Sequence, residues 1–330
     1  MLQVDEHARA SSIFRRRKNR VRAAAARSKQ QYSRGMEQTA DNWEETMVHT
    51  VPLVQAAKEV EISGVRLQYV EQGSGEAMVF VHGAPSDLSH WEPVREGIAS
   101  KYRFLAYTQR YFGTAPWPDD GKNFSIQTLA DDLTKFITSL NAGPVHLVSW
   151  SYGSLVAMSA AVKNPSLVRS LILYEPAVIS VLPAESAQGK LARQDRSKML
   201  APAIAANEAG DPVQAAKLLF EAAFQLGPGG FDREPRAVQT RLLDNARTMP
   251  LMLAAPAPPD ITCDLLKKFS QPTLVMRGEK TRAFYALVSE AISKCIPGAQ
   301  LVVLQNVGHD GPSRDPAAFT GAVFEFLSRR

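Results

Sequence analysis

Apolar residues recur along this chain in two patterns that predict different elements. Residues 59–62 and 65–70 alternate polar and apolar positions on either side of Gly64, which predicts an antiparallel hairpin at a sheet edge. Six further short runs predict the remaining strands, at 77–81, 102–107, 143–148, 171–174, 273–276 and 300–304. Helical spacing fills most of the stretches between them. Strands that alternate with helices predict an α/β fold, a mostly parallel eight-stranded sheet flanked by helices.

Residues 177–268 follow a different pattern. Strand signals disappear, and helical segments rich in Ala, Leu and Lys alternate with Pro and Gly, at 192–206, 212–226 and 235–248. This predicts a helical cap inserted between two parts of the sheet domain, residues 51–176 and 269–330. The apolar side chains of the insertion predict an apolar pocket beneath it, although most of them must pack the cap itself.

The positive charge of the chain is confined to its first residues. The chain has 330 residues and a formal net charge of +5. Residues 1–35 contain ten Lys or Arg and two acidic residues, a local charge of +8, which leaves −3 for the remainder. Residues 1–50 lack a sustained apolar period and predict a basic, disordered extension. Such a segment can bind nucleic acid or serve as a transit peptide, but a solvated extension is the favoured interpretation, and no nucleic-acid partner is expected.

The lengths of the apolar runs indicate whether the chain can span a membrane, and the cysteines indicate the redox compartment. No apolar run approaches the roughly 18 residues that span a bilayer, so we expect no membrane span. Cys263 and Cys295 have neither metal-site nor redox spacing. We expect both to be free, as in a reducing compartment, and therefore a cytoplasmic protein. Nothing in the sequence indicates a metal or an organic cofactor, and nothing indicates the oligomeric state.

A serine lies at the junction of a predicted strand and a predicted helix. Small residues, Ser149 and Gly153, stand two positions before and two positions after Ser151. This pattern is typical of a nucleophile elbow, a tight and strained turn that leaves no room for larger flanking side chains. The alternative is a plain helix N-cap, in which Ser149 or Ser151 caps the helix and has no chemical role.

Polar residues follow four of the predicted strands, each at the point where its strand ends. They are His82, Ser151, Glu175 and His309. The carboxyl ends of parallel strands lie along one edge of a sheet, and ligands of such sheets bind there. The sequence therefore predicts a single site to which four separate segments contribute.

Three motifs in this order resemble the α/β-hydrolase fold family, over roughly residues 55–330. They are the His-Gly-Ala-Pro segment at 82–85, the elbow at Ser151 and the Gly-His pair at 308–309. The order of nucleophile, acid and histidine along the chain is also that of the family. The resemblance implies Ser151 as nucleophile, His309 as general base, and an oxyanion hole made by the backbone N–H groups of Ala84 and Tyr152.

The family resemblance also implies an acid that completes a catalytic triad with Ser151 and His309. The position of this acid departs from the common pattern of the family. The position at which the resemblance predicts an aspartate, after the seventh strand, holds Thr281, which cannot orient an imidazole as a carboxylate does. Glu175 after the sixth strand is similar to the acid of some haloalkane dehalogenases of this fold, and we predict it as the acid. Glu279 is the alternative acid, and Asp310 is disfavoured because it adjoins His309 in sequence.

These residues predict a serine hydrolase that cleaves a small to medium apolar ester, lactone or thioester through an acyl-enzyme, with a small-molecule substrate as its partner. His82 and Trp150 are expected at the substrate pocket, with scaffold and packing roles as the alternative. Other interpretations of the same triad are a ligand receptor with slow turnover, a carbon–carbon bond hydrolase, or a cofactor-free haloperoxidase. Dehalogenase and epoxide hydrolase activities are disfavoured because both need a carboxylate where Ser151 stands.

Overall fold

A computed structural model describes residues 57–255 and 261–329 of the chain. The predicted basic extension over residues 1–50 lies outside the described residues and stays a prediction. All eight predicted strands are present, with bounds that differ by a few residues at most: β1 Lys58–Ile62, β2 Val65–Gln72, β3 Ala77–Val81, β4 Arg103–Tyr107, β5 Val145–Trp150, β6 Val168–Tyr174, β7 Thr273–Gly278 and β8 Gln300–Leu304.

The eight strands form one sheet in the order β1-β2-β4-β3-β5-β6-β7-β8. The β1–β2 and β2–β4 pairs are antiparallel, and the other five pairs are parallel. The hairpin between β1 and β2 turns at Ser63 and Gly64, which both have positive φ, 52° and 76°. Such a two-residue turn matches the twist of the strands that it joins. The predicted mostly parallel sheet with an antiparallel edge hairpin is confirmed.

Helices cover both faces of the sheet because β3 and its parallel neighbours are apolar on both sides. Met78 and Phe80 of β3 point to one hydrophobic core, and Val79 and Val81 point to the other. The helices of the described residues are α1 Glu92–Ala99, α2 Ile126–Ser139, α3 Gly153–Lys163, α4 Ala187–Glu208, α5 Pro212–Phe224, α6 Arg236–Asn245, α7 Met249–Ala254, α8 Cys263–Leu266, α9 Ala283–Cys295, α10 Gly311–Arg314 and α11 Pro316–Ser328. Helices α1 and α11 pack in the first core, and α2, α3 and α9 pack in the second.

The segment between β6 and β7 is helical, from α4 to α8, and its described residues contain no strand. Helix α4 is longer than the pattern predicts: it starts after Ser186, whose side chain accepts a hydrogen bond from the Gly189 N–H, and it continues through Pro202. The role of this segment as a cap stays a prediction. No helix in the described part of the chain is long and apolar enough to cross a membrane.

The prediction that both cysteines are free is wrong. Cys263 at the start of α8 and Cys295 at the end of α9 form a disulfide, with their Cα atoms 5.1 Å apart. The two residues are 32 positions apart in sequence, and only the packing of α8 against α9 brings them together. The expected cytoplasmic location, which was inferred from free thiols, loses that support.

Candidate active site

Ser151 lies in a strained turn between β5 and α3. Its φ of 54° is in the left-handed region, which is unusual for a residue with a Cβ. A Cβ on Gly153 would lie 2.3 Å from the carbonyl oxygen of His82, so only glycine fits beside the loop that follows β3. At the other small position, Ser149 is fully buried, and its hydroxyl is 3.0 Å from that of Ser154. The crowding expected of an elbow is therefore present on both sides.

Three predicted residues form one hydrogen-bonded chain. The Ser151 Oγ lies 3.0 Å from Nε2 of His309, and Nδ1 of the same ring lies 2.6 Å from Oε2 of Glu175. All three side chains are buried. A carboxylate can only accept, so the Nδ1–H donates to Glu175, which leaves Nε2 as the acceptor for the serine hydroxyl. This arrangement can move a proton from the serine to the imidazole.

The Glu175 carboxylate is held at the end of β6 by groups from β7 and the loop after it. Its oxygens accept hydrogen bonds from the Gly278 N–H, at 2.8 Å, and from the Thr281 hydroxyl, at 2.7 Å. The Glu175 N–H donates to the carbonyl of Met276, and its φ of 45° turns the chain at this point. Sequence reasoning passed over Thr281 because it lacks a carboxylate. The sequence did contain a signal for Thr281, because a residue with a hydroxyl group stands where the family resemblance predicts the acid.

The other two candidate carboxylates are engaged elsewhere. Glu279 is exposed, and its Oε2 accepts a hydrogen bond from the Asn306 N–H at 3.0 Å. Asp310 accepts from Nε of Arg314 at 2.5 Å. The structure therefore brings Glu175 to the imidazole, and it does not bring Glu279 or Asp310 there.

Two aromatic side chains hold the loop that carries His309 by hydrogen bonds to its carbonyl groups. The indole N–H of Trp150 donates to the carbonyl of His309 at 2.9 Å, and the Tyr174 hydroxyl donates to the carbonyl of Gly308 at 2.6 Å. Trp150 is only 5% exposed and stacks on His90, with ring centroids 3.8 Å apart. Its contacts are those of a support for the histidine loop, and a role for Trp150 in the substrate pocket stays a prediction. Sequence reasoning missed Tyr174.

His82 is fully buried beneath the site, and both of its ring nitrogens are occupied. Nδ1 lies 2.7 Å from the carbonyl of Gly83, and Nε2 accepts a hydrogen bond from the Gln109 N–H at 3.0 Å. Burial lowers the pKa of His82 to about 4, so the ring is neutral near pH 7. These contacts fit the scaffold role that was its alternative interpretation.

The predicted oxyanion donors border the elbow. A Cβ on Gly83 would lie 3.1 Å from Cβ of Ser151, so the 83–84 loop runs directly against the serine. Ala84 and Tyr152 are half-buried. Among the hydrogen bonds of residues 57–255 and 261–329, none is donated by the backbone N–H of either residue. Their role as oxyanion donors stays a prediction.

The rings of Tyr285 and Phe224 pack against the imidazole of His309. The Tyr285 ring of α9 stacks on His309 with centroids 3.9 Å apart and planes 13° apart. The Phe224 ring at the end of α5 meets His309 edge-on at 5.4 Å. Tyr285 is 3% exposed, and its hydroxyl donates a hydrogen bond to the sulfur of Met199 in α4, at 3.7 Å. Sequence reasoning missed Tyr285, whose position in a helix carries no local signal for its contact with His309.

Known proteins with similar sequences include hydrolases. The sequence model of the alpha/beta hydrolase family matches residues 78–322. A 2-(acetamidomethylene)succinate hydrolase from Mesorhizobium japonicum is 27% identical over 278 residues, which cover 82% of this chain and 95% of that protein. Epoxide hydrolase 3 from Mus musculus is 25% identical over 285 residues, which cover 81% of this chain and 75% of that protein.

Solved structures of similar shape include a thermophilic esterase from Thermogutta terrifontis. It matches with a TM-score of 0.64 and covers 83% of this chain and 99% of the esterase chain. At 23% sequence identity, this likeness concerns the fold.

Proposed function

The chain belongs to the alpha/beta hydrolase family, and we propose that it is a serine hydrolase that cleaves a small to medium ester, lactone or thioester. The observation that carries this proposal is the buried chain of hydrogen bonds from Ser151 through His309 to Glu175. A base within hydrogen-bonding distance of a hydroxyl, itself oriented by a carboxylate, is the arrangement that activates a serine for acyl transfer.

In the proposed reaction, Nε2 of His309 accepts the Ser151 proton while Oγ attacks the carbonyl carbon of the substrate. The N–H groups of Ala84 and Tyr152 bind the oxyanion that forms. The imidazolium then gives its proton to the leaving oxygen or sulfur, and an acyl-serine results. Water, deprotonated by the same imidazole, attacks the acyl-serine and releases the acid, which restores the serine hydroxyl.

In this reaction Glu175 fixes the tautomer of the imidazole and stabilises the imidazolium. Its two oxygens accept hydrogen bonds from His309, Gly278 and Thr281. With its carboxylate held from several directions, Glu175 keeps the ring of His309 aimed at the serine, and the ring does not need to reorient between the two steps.

A serine at the elbow favours acyl transfer over epoxide opening. One relative is an epoxide hydrolase, but opening an epoxide in this fold requires a carboxylate nucleophile at the position of Ser151. The apolar ring of Phe224 next to His309 and Trp150 supports a partly apolar pocket for the acyl group.

Labelling with a fluorophosphonate probe tests the nucleophile. We expect the wild-type chain to be labelled and Ser151→Ala to remain unlabelled, because the probe reacts only with an activated serine hydroxyl. Equal labelling of the two proteins would refute the proposal.

Hydrolysis of a short-chain ester tests the acid. We expect Glu175→Gln to lower kcat by roughly 10³- to 10⁴-fold, because an amide no longer selects the correct imidazole tautomer. Glu279→Gln is the matched control and should hydrolyse the ester at close to the wild-type rate. The acid assignment fails if the two variants lose activity equally.

A further inference from the structure

Helix α9 takes its N-terminal cap from a distant helix. The N–H groups in the first turn of a helix have no partner within it, and a side chain just before the helix normally accepts from one of them. At this position α9 has Arg282, whose guanidinium contains no acceptor. The Phe284 N–H donates instead to Oδ2 of Asp195 in α4, at 3.0 Å and from 89 positions away in the sequence. The start of α9 therefore depends on α4.

The same carboxylate binds the Arg282 guanidinium. Nε and Nη2 donate to the two oxygens of Asp195 at 3.2 and 2.6 Å, and Nη1 donates to the carbonyl of Ala222 in the last turn of α5, at 3.0 Å. The Arg282 and Asp195 side chains are only 16% and 19% exposed, so water and salt screen the pair weakly. Arg282 thus ties both α4 and α5 to the first residues of α9.

Arg282 adjoins the residue that supports the candidate acid. Thr281 comes directly before it, and the Thr281 hydroxyl donates to Oε2 of Glu175 at 2.7 Å. On the other side of Thr281, the carbonyl of Lys280 accepts a hydrogen bond from Nε2 of Gln225, just past α5, at 2.7 Å. Thr281 therefore lies between two residues that are bound to the helical segment between β6 and β7.

Phe284 adjoins the residue that supports the candidate base. Tyr285 comes directly after it, and the Tyr285 ring stacks on His309 with centroids 3.9 Å apart. One turn beyond Asp195 along α4, the sulfur of Met199 accepts a hydrogen bond from the Tyr285 hydroxyl at 3.7 Å. Helix α4 thus holds Tyr285 both through the neighbouring N–H group and through its hydroxyl.

We propose that Asp195 is a positioning residue for the reaction at Ser151. Its carboxylate fixes the backbone of residues 281–285, and with it the hydroxyl that holds Glu175 and the ring that lies on His309. The inference rests on the proposed hydrolase function, and it assigns the docking of α4 a part in aligning the base with the serine. Because rates depend steeply on such alignment, loss of Asp195 slows the chemical steps more than it weakens substrate binding.

Steady-state hydrolysis of a short-chain ester tests this role. We expect Asp195→Ala to lower kcat by about 10- to 50-fold with little change in KM, because the base is misaligned while the substrate pocket remains. Asp195→Asn keeps an oxygen that can accept from the Phe284 N–H, so it should recover part of the rate, to about 3- to 10-fold below the wild type. Urea denaturation verifies that each variant is folded under the assay conditions.

Glu71→Ala is the matched control, because it removes a carboxylate of similar exposure and pairing. The Glu71 side chain is 20% exposed and binds Nε of Arg103 at 2.6 Å. Arg103 begins β4, so this pair lies at the opposite end of the sheet from Ser151, which follows the carboxyl end of β5. Glu71→Ala should hydrolyse the ester at close to the wild-type rate. Equal losses in Glu71→Ala and Asp195→Ala, or a wild-type kcat in Asp195→Ala, would overturn the positioning role.

The Nδ1 proton of His309 provides a measurement that requires no turnover. It lies in the 2.6 Å hydrogen bond to Glu175, and a proton in so short a bond to a carboxylate resonates far downfield in the proton NMR spectrum. His309→Gln identifies the signal by removing it. We expect Asp195→Ala to shift or broaden the signal and Glu71→Ala to leave it in place, since lower stability alone does not move it. An unchanged signal in folded Asp195→Ala would refute the positioning role and leave the hydrolase proposal, which the labelling of Ser151 tests, standing.

Discussion

At the scale of single residues, the uncharged side chain of Thr281 holds the carboxylate of Glu175 by a hydrogen bond. Its hydroxyl donates to the same oxygen of Glu175 that accepts the hydrogen bond from His309. A third donor, the Gly278 N–H, satisfies the other oxygen. Because Glu175 is fully buried, each of these hydrogen bonds replaces water that the carboxylate lost on folding.

We expect Thr281→Val to lower kcat by about 5- to 10-fold with little change in KM, because the loss of one hydrogen bond of about 1 kcal/mol frees the carboxylate to move. Thr281→Ser restores the hydroxyl and should recover most of the rate. Steady-state kinetics on one ester measure both variants. A Thr281→Ser variant as slow as Thr281→Val would show that Thr281 acts through its methyl group instead.

The buried imidazole of His82 makes the stability of the protein depend on pH. Burial lowers the pKa of the folded imidazole to about 4, below its usual value of 6.5, so the unfolded chain binds this proton more readily. The stabilising contribution of neutral His82 is complete above pH 6.5 and is lost as the pH falls towards 4. His90 acts in the same direction, because burial also lowers its pKa well below the usual value.

We therefore expect the unfolding free energy of the wild type to fall more steeply between about pH 7 and pH 4.5 than that of His82→Gln, by up to about 3 kcal/mol. Urea denaturation of both proteins at the two pH values measures the difference. Parallel pH dependence in the two proteins would contradict a depressed pKa for His82.

At the scale of elements, the elbow is defined by how closely two loops approach. The turn between β5 and α3 passes against the residues that follow β3, and Gly153 sits at the contact. The carbonyl oxygens of His82 and Val81 are 2.3 and 2.7 Å from the place where a Cβ would stand. Backbone atoms cannot move aside as a flexible side chain does, so an added methyl group must displace the turn or the loop.

Gly153→Ala is expected to lower the unfolding free energy by at least about 2 kcal/mol through overpacking, and to abolish fluorophosphonate labelling because Ser151 shifts. Gly321→Ala is the matched control in α11, where a Cβ meets nothing within 4 Å. It should stabilise the protein by about 0.5–1 kcal/mol, as expected for alanine in an exposed helix. A Gly153→Ala protein as stable as the wild type would show that the elbow tolerates a side chain.

At the scale of the whole molecule, two cores on opposite faces of one sheet stabilise the fold, and one covalent bond ties the helical segment to it. The disulfide joins α8, which precedes β7, to the end of α9, which follows it. It encloses β7, Glu279 and Thr281 in a loop between two cysteines that are 32 positions apart. The loop that supplies Thr281 to Glu175 is therefore covalently closed.

Replacing both cysteines with serine should lower the unfolding free energy by about 3–4 kcal/mol, since the unfolded chain regains the entropy of an open loop of this length. Urea denaturation of the double variant, and of the wild type with and without a reductant, measures the change. If the reductant and the double substitution both leave the transition where it was, the disulfide does not contribute to stability.

Helix and strand periodicities are local properties of the chain, so the elements and their order can be predicted from the sequence alone. The alternation around Gly64 predicts both of its strands to within two residues, and the continuous run at β3 predicts its strand without error. The candidate nucleophile and the candidate base also come from local patterns, because small residues flank Ser151 and a histidine follows the last strand. Their chemical roles stay predictions.

The contacts between groups at the strand ends come from the folded chain and cannot be predicted from local patterns. The sequence offers more than one carboxylate as the candidate acid, and the parallel pairing of β6 with β7 places Glu175 against Gly278 and Thr281. Thr281 lies 106 residues from Glu175, and Cys263 lies 32 residues from Cys295. Contacts of this kind depend on the register of strands and the docking of helices, which come from the packing of the whole chain and leave no periodic signal in the sequence.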